Sequence, residues 1–371
     1  MLFPPASCPR LVVKIGSALL VAGDGEVRRD WLGGIAADIA TRAKAGQQVV
    51  VVSSGAIALG ARRLGLSKGG RGSLEDAQAA AAVGQIALAG EWAAALGAHD
   101  LRAAQMLLTL GDLEDRRRYL NASATLDRLL SLRAVPVLNE NDSVATAEIR
   151  FGDNDRLAAR VAQAAGASGV ILLSDVDGLY DRNPALPGAA HIPHVERLDA
   201  AVLAMADARS GSGMGSGGMV SKLSAARIAT AAGIPLAIAS GRVERPLSLA
   251  NGPTDARHTL FAAERTAPAR KAWLAGGLTA SGAIHIDAGA AAALRSGASL
   301  LAAGATSVSG DFARGDLVTI DGPDGPLARG LAEYDAADAA KLLGRRSDEQ
   351  AALLGYAPRA ALVHRNHLAL L

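Results

Sequence analysis

The chain has 371 residues, half of them hydrophobic, with a single cysteine, 3% aromatics, and 38 basic against 36 acidic side chains for a net charge of +2. That length suits two or three domains with full cores and excludes a disordered chain. The near-balanced charge and sparse aromatics exclude a general nucleic-acid surface, and the lone Cys8 excludes a disulfide framework or a cysteine zinc site. In chain order, short apolar runs alternate with long Ala- and Leu-rich stretches. Residues 11–15 read as a buried strand and 31–45 as a helix; 48–52 as a strand and 74–96 as a helix. A further helix is predicted over 117–132, a strand at 135–138, a helix over 155–165, a strand at 169–173, a helix over 222–232 and a strand at 236–239. No run approaches the roughly 18 apolar residues of a membrane span, and the first residues lack the basic start of a secretory signal. Together these point to a cytoplasmic protein with no membrane partner. His191 and His194 are expected in a loop, without further ligands at metal spacing.

Strand–helix alternation of this kind predicts an α/β fold, a three-layer α/β/α sandwich around a mostly parallel sheet. Right-handed crossovers then gather the strand ends along one edge, where such sheets bind ligands. From Gly282 onward the pattern changes to short segments (283–286, 317–320, 327–333 and 361–364) separated by turn clusters such as Asp321-Gly322-Pro323-Asp324-Gly325. A small β-rich domain follows. The expected boundaries are 8–262 for the first domain, 263–278 for a linker and 279–365 for the second.

Four clusters in the first domain have the residue types of a phosphate- and carboxylate-handling site, and three follow predicted strands. Lys14-Ile15-Gly16-Ser17 closes the first strand: a lysine is a mobile point charge, and Gly16 permits close approach of backbone to phosphate. Taken alone, Lys14 reads better as a solvent-facing strand-end residue. Ser53-Ser54-Gly55-Ala56 opens a helix, where free N–H groups favour anions, although a simple serine cap has the same signature. The run from Asn139 to Asp155 is dense in amides and carboxylates, with Asn139-Glu140-Asn141-Asp142 directly after a strand and Gly152-Asp153-Asn154-Asp155 opening a helix. It is longer than a typical connection, and it does not match a calcium loop. The Gly-rich run from Gly211 through Ser216, Gly217, Gly218, Met219, Val220 and Ser221 ends in Lys222 at a helix start. That suits phosphates, although a flexible linker has the same composition. The run is neither a P-loop, since no Gly-Lys-Ser/Thr occurs in the chain, nor a dinucleotide fingerprint. With Ser174-Asp175 after a further strand, the set has the parts needed for phosphoryl transfer from ATP to a carboxylate.

These motifs, with Gly178-Leu179-Tyr180, occur in the order of the amino acid kinase family, which the chain resembles from about Arg10 to Arg365. The run Val144-Ala145-Thr146-Ala147-Glu148-Ile149 resembles the glutamate-phosphorylating branch. Gly304-Ala305, Val308-Ser309-Gly310-Asp311-Phe312 and Gly315-Asp316 resemble a PUA domain. The resemblance implies ATP-dependent phosphorylation of the γ-carboxylate of L-glutamate, with Mg²⁺ carried on ATP and proline as a feedback inhibitor at or beside the glutamate site. It also implies a homo-oligomer, dimer or tetramer. Carried over by motif, Lys14 and Lys222 stabilise the transferring phosphoryl group, and Asp153 and Asp155 organise the lysines and Mg²⁺. Ser54, Gly55, Ala56, Asn139, Asp142 and Asn154 hold glutamate. Lys14, Gly16, Ser174, Asp175 and 216–222 hold ATP. Ser53, Ser174, Ser216 and Ser221 stand where Thr is common in the family; each keeps a hydroxyl and loses a packing methyl. The alternatives are a kinase of acetylglutamate, aspartate or carbamate, or an RNA-binding role of the tail through Arg295, Arg314, Arg329, Arg345 and Arg346. The Asn139 to Asp155 stretch and the tail favour glutamate.

Overall fold

The computed structural model describes residues 2–144, 153–207, 218–248, 257–263, 280–359 and 361–371. By internal contacts the chain divides into one unit of Met1–Glu114 with Ala122–Glu264, and another of Asp115–Asn121 with Arg265–Leu371.

The strands of the first unit are β1 (Arg10–Ile15), β2 (Gln48–Ser53), β3 (Arg102–Leu108), β4 (Ala134–Glu140), β5 (Gly169–Ser174), β6 (Leu179–Tyr180), β7 (His191–Ile192), β8 (His194–Val195), β9 (Leu236–Ser240) and β10 (His258–Phe261). Among the described residues they form an eight-stranded sheet in the order β3-β4-β2-β1-β5-β9-β10-β8, with β6 and β7 paired separately. The strands from β3 to β9 run parallel, and β10 returns antiparallel to β9. The chain leaves β1 towards β2 on one side and reaches β5 on the other, so β1 and β5 flank a topological switch point.

Strand pleat decides what faces where. Leu11, Val13 and Ile15 of β1 join Val49 and Val51 of β2 in a core beneath Ile35, Ile39, Leu88, Trp92 and Leu96. Val12 and Lys14 therefore project to the opposite face. There the Asp153–Ala164 helix packs on β1 and on the Met219–Ala231 helix. The predicted strands and helices of this unit all form, with ends moved by a few residues.

Several expectations are corrected. Asn139 and Glu140 lie within β4 rather than after it. His191 and His194 sit in the short strands β7 and β8 rather than in an open loop. The edge strand β3 carries Arg102 and Gln105 among small residues, and this composition hides its strand character. The Leu74–Gly97 helix, 24 residues long, does reach the length of a membrane span and holds an 18-residue window of mean hydropathy 1.3. In the fold, that helix is packed on β-strands through Leu88, Trp92 and Leu96.

The second unit holds β11 (Gly282–Ile286), β12 (Ala305–Gly310), β13 (Leu317–Gly322), β14 (Gly325–Leu331) and β15 (Leu368–Leu370). They form a five-stranded sheet in the order β12-β11-β13-β14-β15 among the described residues. The segment predicted as a strand over 361–364 instead makes one isolated bridge, Val363 to Leu300, and the closing strand comes at β15. Helices Ala288–Arg295, Ala336–Leu342 and Ser347–Leu354 cover this sheet, so the unit is less purely β than its turn-rich sequence indicates. Both sheets have their own buried cores.

Candidate active site

The carboxyl ends of β1, β2, β4, β5 and β9 meet along one edge, bringing Ile15, Ser53, Asn139, Ser174 and Ser240 into line. Helices Ala56–Leu64, Asp153–Ala164 and Met219–Ala231 begin at that edge. Their first-turn N–H groups and dipoles bias it towards anions.

Asp155 is the centre of the charge arrangement. It is fully buried, and Lys14 and Lys222 are each only 6% exposed. Lys14 Nζ lies 2.6 Å from Asp155 Oδ1, and Lys222 Nζ donates to Asp155 Oδ2 at 3.3 Å. The Lys14 contact is a close ion pair. Burial alone would push the Asp155 carboxyl up; the charges of Lys14 and Lys222 outweigh it and hold the group ionised, below its ordinary range. Burial pulls the Lys222 ammonium down and Lys14 adds to this, while Asp155 opposes it. One negative charge thus holds two cations beside each other at the switch point, with Asp175 a weaker Coulombic partner of Lys222. Neither lysine is the solvent-facing residue that its sequence neighbourhood alone permits.

Next to the charges lies a chain of amides. Asn154 Nδ2 donates to Ser54 Oγ at 2.9 Å and to Asn139 Oδ1 at 3.1 Å. Asn139 Oδ1 also accepts from Glu140 N–H at 2.9 Å, while Asn139 Nδ2 donates to Gln85 Oε1 at 2.8 Å. Ser54 N–H donates to Ile15 O at 3.2 Å, tying this cluster to the strand that carries Lys14. Gly55 has φ +113°, and a Cβ there would come within 3.1 Å of Val21 Cγ2, so glycine is required for the turn that places Ser54. Ala56 is buried as the first residue of the helix. Asp142 lies in the turn after β4, within Coulombic reach of Arg71.

At the end of β5, Ser174 Oγ donates to Asp175 Oδ1 at 3.0 Å, and Arg242 Nε donates to Asp175 O at 3.1 Å. Gly16 N–H donates to Leu173 O at 3.2 Å, so that group is committed to the sheet and not free for phosphate. Gly218 caps the Met219–Ala231 helix, with Met219 buried, Val220 exposed and Ser221 in the first turn. Ser216 and Gly217 lie outside the described residues, as does the stretch 145–152. Asp153 opens its helix, and its side chain is likewise outside the description.

The structure therefore brings Lys14, Lys222 and Asp155 together, and separately Ser54, Asn139 and Asn154. Sequence reasoning missed Gln85, Trp92, Arg71 and Arg242. Trp92 is fully buried and donates from Nε1 to Ser53 Oγ at 3.0 Å, anchoring the residue before Ser54. Gln85 and Trp92 lie inside a long apolar helix, where pattern marks them as packing and no local motif marks them as polar partners. Gln85, Trp92, Gln105, Ser53 and Asn139 line a cavity of about 180 Å³, and Gln85, Gln105 and Asp142 line a second of about 290 Å³.

Residues 9–240 match the amino acid kinase family, and residues 282–354 match the PUA domain. The chain belongs to the amino acid kinase family, whose members use ATP, and within it to the glutamate 5-kinases. It is 75% identical over 371 residues to the glutamate 5-kinase of Sphingopyxis alaskensis, covering 100% of both chains. It is 64% identical over 367 residues to that of Novosphingobium aromaticivorans, covering 99% of this chain and 97% of the relative. It is 62% identical over 371 residues to that of Zymomonas mobilis, covering 100% of this chain and 93% of the relative.

Proposed function

We propose that this enzyme transfers the γ-phosphoryl group of ATP to the γ-carboxylate of L-glutamate, giving L-glutamyl 5-phosphate and ADP, the first step of proline synthesis. The observation that carries the reading is the paired Lys14 and Lys222 on one buried Asp155, with the amide cluster of Ser54, Asn139 and Asn154 alongside. A carboxylate oxygen of the substrate forms the new bond to phosphorus as the bond from phosphorus to the β,γ-bridging oxygen breaks, and that oxygen leaves on ADP. The nucleophile is already ionised at neutral pH, so the step needs no general base. What it needs is positioning and cations where negative charge spreads, and two ammonium groups supply them.

In this reading Lys14 and Lys222 hold the phosphoryl group while Asp155 holds the lysines. Ser54, Gly55, Ala56, Asn139, Asp142 and Asn154 surround glutamate. Gly16, Ser174, Asp175 and 216–222 surround ATP, and Asp153 joins Asp155 in organising the lysines and Mg²⁺. Mg²⁺ fits as a passenger on the nucleotide. Asp155 has both oxygens engaged by lysines, and Asp175 Oδ1 accepts from Ser174, so phosphate oxygens are its natural ligands. Bound there, it would neutralise phosphate charge beside the two lysines. We further propose feedback inhibition by proline, a homo-oligomer (dimer or tetramer), a cytoplasmic location, and domain limits of 8–262 and 279–365 around a linker at 263–278, with the second domain's sheet running past 365 to β15. No RNA role is proposed for the tail: within that unit Arg314 is engaged by Asn121 and Glu333.

The test is acyl-phosphate trapping with hydroxylamine, run with ATP and Mg²⁺ across glutamate, aspartate and acetylglutamate, with and without proline. Hydroxamate formed from glutamate alone is expected. Formation from either other acid at equal efficiency, or none from glutamate, overturns the assignment.

A further inference from the structure

We propose that Gln85, in the middle of the Leu74–Gly97 helix, is a positioning residue that sets the polarity of the amide chain reading the substrate. The inference rests on the reading that Asn139 and Asn154 hold glutamate. The amide order is anchored by a backbone group. Glu140 N–H can only donate, so the Asn139 side chain must turn its Oδ1 to it, at 2.9 Å. Asn139 Nδ2 then has to find an acceptor elsewhere, and it finds Gln85 Oε1 at 2.8 Å. The same Asn139 Oδ1 takes a second hydrogen bond from Asn154 Nδ2, which also donates to Ser54 Oγ. With its amide nitrogen spent in this way, Asn154 keeps Oδ1 on the far side, buried and without a partner among the described residues. A buried carbonyl oxygen without a donor is costly, and a ligand N–H group repairs it. The primary ammonium of an amino-acid substrate supplies such a donor. An acyl-capped amine keeps one amide N–H, but a charged ammonium makes the stronger, charge-assisted hydrogen bond, so the sense of the chain favours a free amine.

Gln85 is where this sense is supported from outside the strand edge. Asn139 is only 2% exposed, so loss of the acceptor at position 85 leaves its amide N–H groups unpaired in the interior. The side chain then turns or draws in water, and Asn154 loses its fixed partner. Gln85 is delivered to this place by an unusually close helix pair. A Cβ on Gly84 would strike Ala56 O and Gly60 N, so glycine lets the Leu74–Gly97 helix run against the helix that begins after Ser54. Gln85 also lines both cavities beside Asn139, so water is available to compete when the direct bond is lost.

The experiment compares Gln85→Met, which keeps length and removes the acceptor, with Gln85→Glu, which keeps an acceptor oxygen and replaces the amide NH₂. Both are assayed in the full chain, with Asn154→Ala alongside. Gln85→Met is expected to raise the KM for glutamate about ten-fold, with kcat and the KM for ATP within about three-fold of the parent. Gln85→Glu is expected to return the glutamate KM to within about three-fold of the parent. The preference for glutamate over acetylglutamate, as a ratio of kcat/KM, should fall in Gln85→Met and recover in Gln85→Glu. The proposal is overturned if Gln85→Met leaves the glutamate KM unchanged, if both KM values rise together, or if Gln85→Glu is no better than Gln85→Met. A normal glutamate KM in Asn154→Ala overturns instead the underlying assignment of the amides to the substrate.

Discussion

Asp155→Asn is the substitution that most directly tests the arrangement at the switch point. It removes one charge and almost no volume. Ion pairs at 2.6 and 3.3 Å attract by about 6 and 5 kcal/mol at an effective permittivity near 20, before burial costs are subtracted. Desolvation of three ions offsets most of that gain, and experience with buried pairs that lose one partner puts the net loss at about 3 to 5 kcal/mol. Asparagine also offers one carbonyl oxygen where aspartate offered two, so its NH₂ must face either Lys14 or Lys222, donor against donor. The variant should unfold at a clearly lower temperature by scanning fluorimetry. Its kcat in the hydroxamate assay should drop by about 100- to 1,000-fold, the cost of losing a preorganised group that acts on transition-state charge. ATP should raise the melting temperature of the variant by more than that of the parent, because its phosphates supply the missing anion. The pH dependence follows from the lowered folded-state pKa of Asp155. The carboxylate contributes stability above its unfolded value near 3.8, and this contribution is lost as pH falls through the folded value, so parent and variant stabilities should converge in acid. A variant that melts with the parent and keeps its kcat would refute the claim that Asp155 holds the lysines.

Lys14→Ala and Lys222→Ala should each lower kcat by at least about 100-fold while changing glutamate affinity little, since both act on charge that develops during transfer; selective loss of glutamate affinity in isotope-dilution or calorimetric binding contradicts this role. Because burial lowers the Lys222 pKa, the kcat/KM profile should lose activity on its basic side below the ordinary lysine value of 10.5 as that ammonium deprotonates. The sign for stability agrees: charged Lys222 is a burden that is full below its folded pKa and relieved as pH rises towards 10.5. Lys222→Arg should abolish that basic limb and still impair turnover, since a planar fork does not replace a point charge; an unchanged limb would show that another group sets it. Gly84→Ala should destabilise by about 2 kcal/mol through overpacking and raise the glutamate KM as well, because the added methyl meets backbone at Ala56 and Gly60. Denaturant titration with parallel kinetics checks both parts.

Much of the first unit was legible because its strands are continuous runs such as Val49 to Val52, buried on both faces, and nothing else in the sequence looks like them. β3 was not, since Ala103, Ala104 and Gln105 have no strand signature; an edge strand can tolerate polar and small residues because only one neighbour dictates them. The tail showed its turns but hid three helices of eight residues or fewer, too short to display a period. At the site, Lys14, Lys222 and Asp155 were visible as types in sequence, but their meeting depends on strand pleat and on which face the Asp153–Ala164 helix covers. Gln85 was invisible for the opposite reason. Its neighbours in Ala-rich helix give it no motif, and its partner Asn139 is 54 residues away.

The two polar assemblies at the strand edge solve different problems, and their positions explain why neither does the other's work. The lysine pair stores an electrostatic imbalance: two cations share one anion in the dry interior, and Lys222 is already inclined to give up its proton. An incoming polyphosphate settles that imbalance, so the lysines bind best where charge is densest, which during transfer is the phosphoryl group itself. The amide chain stores no net charge. Among the described residues its only unmet demand is the Asn154 carbonyl oxygen, a single acceptor in a fixed direction, suited to orientation and choice and not to charge stabilisation. Asn154 and Asp155 are adjacent in sequence at the start of one helix, so a single backbone places the carbonyl acceptor proposed to orient the substrate and the carboxylate that pairs with Lys14 and Lys222, the cations proposed to bind the phosphoryl group. Any shift of that helix start therefore disturbs both at once, and mutations there should lose substrate choice and turnover together, whereas Gln85 variants lose only the first.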